Sequence, residues 1–221
     1  FLEGVPCIVS DEAKNTVFVN TEGTDGIEEF YENVANDNIG AFAVSERCAP
    51  GFYRFLERLR EIEDDLQFIK CQVTGPFSMG LGLKDEKDKP VIYNFAFYDI
   101  IKKALRMKAK WMIKTIQAAY PGVDIIIFFD EPYMVSFGSA YISIPREEVI
   151  ASLNEVVEDL PARRGIHSTS SGNAMQIASA IICRKTKGTA PRYSCPIVTD
   201  GGTAPFMKNS AKPNGGVMNE V

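Results

Sequence analysis

The stretch that most constrains this chain is Ile-Ile-Ile-Phe-Phe-Asp-Glu-Pro-Tyr, residues 125–133. Five consecutive β-branched or aromatic residues read as a strand buried on both faces, the kind found in parallel sheets covered by helices. The run then breaks at Asp130, Glu131 and Pro132. Pro132 has no N–H to give a ladder and biases Glu131 toward an extended backbone, so the strand stops there. Two carboxylates are thereby delivered to the C-terminal end of a sheet, where α/β folds place their chemistry. The plainer alternative is a strand-to-loop turn with solvated acids.

The flanking sequence supplies alternating strands and helices. Residues 5–9 and 16–19 are strand-like runs separated by polar Asp11, Glu12, Lys14 and Asn15, which predicts a peripheral β-hairpin. Ile27, Phe30, Tyr31 and Val34 recur at helical spacing. Residues 41–45 can form a buried strand, and Pro50 opens a helix with Phe52, Phe55, Leu56, Leu59 and Ile62 on one face. A second apolar run, residues 69–78, ends in Thr74-Gly75-Pro76, where a missing side chain lets backbone approach a ligand and the Thr hydroxyl can reach one; the bland reading is a turn. Residues 80–94 form a long charged loop, a lid or an inserted hairpin if not simply solvated. Next comes the clearest helix, with Ile101, Leu105, Ala109, Met112 and Ile116 on one stripe and the solvated Lys102, Arg106, Lys110 and Lys114 on another. A further helix starts near Pro145 and buries Val149, Ile150, Leu153, Val156 and Leu160. Strands joined by single helices imply right-handed crossovers and a parallel sheet, for which a closed or nearly closed TIM (β/α)8-type barrel is the natural architecture.

Composition narrows the functional classes. An apolar fraction of 45% with 24% charged residues in 221 residues is that of one soluble globular domain. A net charge of −5 argues against a nucleic-acid partner, and no apolar run approaches the roughly 18 residues of a membrane helix. Five scattered cysteines without a signal-peptide pattern fit a reducing cytoplasm rather than a disulfide framework. The chain opens on Phe1, which points to processing or to a fragment. His167 is the only histidine, so no mechanism needing two histidines from one chain is open.

Residues 69–78, 125–133, 136–143 and Gly165-Ile166-His167 resemble, in order and spacing, the C-terminal barrel of the cobalamin-independent methionine synthases and their short relatives, a group that also includes uroporphyrinogen decarboxylase. The resemblance spans residues 1–173, and the paired Thr-Gly-Pro and Asp-Glu-Pro motifs are fairly specific together. It implies an incomplete barrel, its first strand missing, with an N-terminal hairpin. It also implies a methyltransferase passing a methyl group from a small donor to a thiol, with zinc converting that thiol to thiolate. Asp130 would hold the substrate's amino group, Thr74, Gly75, Glu131 and Tyr133 would complete the substrate site, and His167 would be the zinc ligand. The chain departs from the family where Arg163 and Arg164 precede Gly165, and where Ser170 and Ser171 replace the expected cysteines. Hydroxyls are poor zinc ligands, so the zinc site is incomplete as written.

Residues 186–221 are rich in Gly, Pro, Thr, Ser and Asn, which predicts a divergent, poorly structured tail beyond a barrel portion ending at residue 173. Three readings follow: a zinc-dependent thiol methyltransferase or a fragment of one; an inactive or metal-free binding protein with a pocket at Thr74, Asp130 and Tyr133; and a uroporphyrinogen decarboxylase-like enzyme. The last would need cationic groups for a polycarboxylate, whereas the mouth residues are acidic.

Overall fold

The computed structural model describes residues 1–11, 13–62 and 66–167, with the backbone of Val198 and Thr199. Residues 168–173, the junction placed at residue 173 and the rest of the tail lie outside the described residues.

The hairpin forms from β1 (Ile8–Asp11) and β2 (Thr16–Val19), paired antiparallel from Ile8↔Val19 to Asp11↔Thr16. It is less peripheral than its sequence implies. The short strand β4 (Lys84–Asp85) adds parallel to β2, and Glu86 accepts hydrogen bonds from the Thr21 N–H and hydroxyl, so the hairpin holds the segment that follows α3 (Pro76–Gly82). That segment is a pinned turn with an antiparallel bridge between Lys84 and Pro90, which fits the inserted hairpin better than a solvated loop. Asp85 accepts from the N–H groups of Lys87 and Lys89 to close a tight turn, and Val91 and Ile92 beyond it are buried.

The second sheet carries the long apolar runs. β3 (Phe68–Thr74), β5 (Asp124–Asp130) and β6 (Arg163–His167) are parallel, in that spatial order, and β7 (Val198–Thr199) adds two residues beside β6. The adjacent parallel placement of residues 69–73 and 125–129 follows from their hydrophobic runs and the intervening helix. The barrel does not. Closing a small barrel takes about eight tilted strands, whereas here β3 has a single strand neighbour and forms an open edge among the described residues. Residues 41–45, read from sequence as a strand that would continue the sheet, contribute instead to a 3-10 turn at Ile39–Phe42. Side chains satisfy the backbone there: the Ser45 N–H donates to Glu3 at 2.7 Å and the Tyr53 hydroxyl donates to the Val44 carbonyl at 2.8 Å. With those groups engaged locally, no ladder is needed.

Four further helices frame the sheets. α1 (Ile27–Ala35) and α2 (Pro50–Arg60) precede β3; α4 (Phe95–Ala119) links β3 to β5, and α5 (Arg146–Val157) links β5 to β6. The Asn94 side chain caps α4 by accepting from the Phe97 N–H. Leu105, Met112 and Ile116 of α4 share one core with Ile69, Val73, Ile125, Ile127 and Phe129, while Tyr98 joins a second cluster with Phe77, Met134, Leu153 and Ile166. Two residues of the basic stripe of α4 are paired rather than solvated: Lys102 meets Asp99 and Glu155, and Lys110 meets Asp37 at 2.6 Å; Lys103 beside the stripe also meets Asp99 and Glu155.

Lys108 is fully buried, and its ammonium donates to the carbonyls of Glu3, at 2.6 Å, and Phe42, at 3.5 Å. Burial pulls its pKa down to about 8, against the opposing charges of Glu3 and Cys48. Between about pH 8 and the unfolded value near 10.5 the unfolded chain therefore binds more protons than the folded one, and stability from this group rises with pH. Chemical denaturation of wild type and Lys108→Met should show their stability difference shifting in favour of wild type across that window; a pH-independent difference would contradict the assignment.

Candidate functional site

The working end of the larger sheet is set by register. Thr74 pairs with Asp130, and Asp130 with His167, so one residue from each long strand falls in a single row at the C-terminal edge. Neighbouring strands lie roughly 4.8 Å apart, and residues in register on parallel strands face the same way. The ladder runs one step further: the Gly75 N–H donates to the Asp130 carbonyl at 2.8 Å, and the Glu131 N–H donates to the His167 carbonyl at 2.7 Å.

Asp130 Oδ1 stands 3.3 Å from His167 Nδ1, with 27% and 36% of the two side chains exposed. That oxygen is itself buried and accepts no hydrogen bond among the described residues. The His167 ring nitrogen is at ion-pair distance but falls short of hydrogen-bond geometry, so the pairing capacity of this oxygen is partly unused among the described residues.

Glu131 has the opposite environment. It is fully buried, and its two oxygens accept from the N–H groups of Phe77, at 3.0 Å, and Ser78, at 2.7 Å, in the first turn of α3. The position before that helix is Gly75, which has no side chain to cap it, so the acceptor comes from across the sheet. Burial raises the Glu131 carboxyl to about 7; the Ser78 and Phe77 bonds oppose that rise, and the charge of Asp130 adds to it. A Cβ on Gly75 would overlap the Glu131 carboxyl group. The Glu131 carboxylate and the Gly75 N–H, both read from sequence as part of a substrate site, are engaged within the protein.

Tyr133 donates its N–H to the Ser78 hydroxyl at 3.1 Å and is half exposed, but its Cε2 lies 3.6 Å from where Gly82 would carry a Cβ, at the far end of α3. The row of Thr74, Asp130 and His167 is thus the compact part of the site, with Tyr133 at its margin. The cap by Glu131 escaped the sequence reading, although Gly-Pro opening a helix signals that an acceptor must arrive from elsewhere. A cavity of about 290 Å³ lined by Phe52, Phe55, Lys70, Cys71, Gln72 and Met112 lies along the open edge of β3, and one of about 310 Å³ lies between Asp37, Lys110 and Asp159. Neither includes a residue of the row.

The described residues do not assemble a set of zinc ligands. No three His, Cys, Asp or Glu side chains converge among the described residues. Asp130 and His167 offer two donors where tetrahedral zinc takes four. Cys71 belongs to the core-facing set of β3, and burial pushes its thiol to about 12, far from a thiolate. Ser170, Ser171, Cys183 and Cys195 lie outside the described residues. No helix among the described residues is long and apolar enough to cross a membrane. No protein-family model matches the chain, and neither a curated protein nor a solved structure matches it.

Two outcomes follow from the Glu131 clasp. Gly75→Ala should destabilise the protein by about 3 kcal/mol through overpacking, and the same substitution should cost far less in a Glu131→Ala background; equal costs in both backgrounds, measured by denaturant titration, would contradict the contact. Because the folded pKa of Glu131 lies above its unfolded value, its stabilising contribution is complete below about pH 4.5 and is lost as pH rises through about 7. Glu131→Gln should flatten that part of the stability profile relative to wild type.

Proposed function

We propose that the row of Thr74, Asp130 and His167 binds the amino group of a small amino thiol, with Asp130 as its counter-ion. The observation that carries this reading is Asp130 Oδ1, which lies at ion-pair distance from His167 Nδ1 yet accepts no hydrogen bond among the described residues, at a mouth where the two side chains are 27% and 36% exposed. A primary ammonium is a donor of the right charge, and such a bond is worth about 1.5–3 kcal/mol. Thr74 and His167 flank it and can orient the rest of the ligand. Free Cys7, Cys48 and Cys71 support a reducing, cytoplasmic setting.

A second reading is methyl transfer from a small donor to the ligand's thiol, as the resemblance to methionine synthases implies. It is favoured by the way the three motif segments, Thr74-Gly75-Pro76, Asp130-Glu131-Pro132 and Gly165-Ile166-His167, end side by side. The two-donor constellation supports binding better than zinc chemistry, so binding is the conclusion and transfer the extension. A polycarboxylate substrate of the uroporphyrinogen type is not favoured, because the row offers one carboxylate and no Arg or Lys.

Calorimetric titration with L-homocysteine tests this. Asp130→Asn should weaken binding about tenfold, near 1.4 kcal/mol, and N-acetyl-homocysteine, which has no ammonium, should not bind. Equal affinity of wild type and Asp130→Asn would refute the reading. Methylated product formed from L-homocysteine and a methyl donor would establish the extension.

A further inference from the structure

We propose that Glu131 is the positioning residue of the mouth, a lock that sets the spacing of Thr74, Asp130 and His167 while touching no ligand itself. A simple helix cap would need only the bonds to Phe77 and Ser78. Glu131 does more, because its own N–H is bonded to the His167 carbonyl on β6, while its carboxylate reaches the segment that continues β3. The Ser78 hydroxyl beside that carboxylate takes the Tyr133 N–H, which returns the chain to the β5 loop. One residue therefore ties together the ends of all three long strands.

Gly75 supplies an independent argument. Its backbone, φ −75° and ψ 156°, is one that any residue adopts, so torsion does not demand a glycine. Space does, since the Glu131 side chain fills the volume a Cβ would take. The Thr-Gly-Pro and Asp-Glu-Pro motifs are thus two halves of one lock. Thr74 and Asp130, immediately before each half, are the residues the lock leaves facing outward.

The ligand arm of the test rests on the reading of Asp130 above; the geometric arm does not. His167 is the only histidine, so its ring protons give a single assignable reporter 3.3 Å from Asp130. In NMR spectra of the full chain, Asp130→Asn should shift those resonances. Glu131→Gln should shift them too, and in that background the further effect of Asp130→Asn should fall by about half, the signature of coupled residues. Leu59→Ala, on the buried face of α2, should lower the Tm without moving them. Ring resonances of Glu131→Gln that coincide with wild type, alongside a Tm loss like that of Leu59→Ala, would reduce Glu131 to a structural cap and overturn the proposal. If Glu131→Gln does not fold, Ser78→Ala, which removes the hydroxyl tie to Tyr133 and keeps both N–H bonds, should give a smaller shift of the same sign; no shift overturns the proposal equally. Glu131→Gln should weaken L-homocysteine binding about tenfold, as misplacement of a site group does. If L-homocysteine binds neither protein, the functional reading fails while the ring-resonance result still decides the role of Glu131.

Discussion

A carboxylate sealed from water holds the working end of this sheet together. Removing such a group from water costs several kcal/mol on the general scale for buried ions, and Glu131 recovers part of that through two backbone N–H donors at the start of α3. Those N–H groups would otherwise be buried without acceptors, since Gly75 and Pro76 bring no side-chain oxygen. Each half of the contact thus removes a penalty that the other half would carry alone. The direction of the pKa shift indicates that burial outweighs the hydrogen bonds in setting the carboxyl's proton affinity.

The other support is α4. Its long apolar face meets the interior side of β3 and β5 along one stretch and the cluster around Phe77 and Leu153 at its first turns. Its charged residues do not idle in solvent: Lys102 and Lys103 bridge to Glu155 on α5, and Lys108 reaches through the core to the N-terminal segment. The helix fixes where β5 begins relative to β3. The Glu131 lock fixes where both of them end.

Much of this could be read before the structure. Residues 125–130 suggested a buried parallel strand because five β-branched or aromatic residues stop abruptly at Asp-Glu-Pro, too short a run for a helix, and the apolar stripe from Ile101 to Ile116 gave the inner face of α4 but not its full length. The barrel was an overreach from local pattern to global closure. Strand count and curvature depend on which strand lies beside β3, and residues 41–45 carry an apolar run that suits a packed 3-10 turn as well as a strand, because Glu3 and Tyr53 satisfy the backbone from distant or neighbouring positions. The site divided similarly. The strand-end positions of Thr74 and Asp130 were legible because each closes an apolar run, and His167 was named only through the resemblance, since Arg163 and Arg164 interrupt its strand; the inward turn of Glu131 was not legible, since Asp and Glu in adjacent positions look alike until packing sends one out and the other in.

The two sides of the Glu131 lock are 54 positions apart in the chain. A contact of that span closes a long loop, and the entropy it costs is recovered only after the intervening helices have packed and brought both strand ends into line. The parallel ladder below closes a loop of the same order, since Thr74 lies opposite Asp130 in its register, so the lock and the ladder share one closure. The row of Thr74, Asp130 and His167 therefore takes its geometry in the same step that brings β3 and β5 together over α4, and it has no assembly stage of its own.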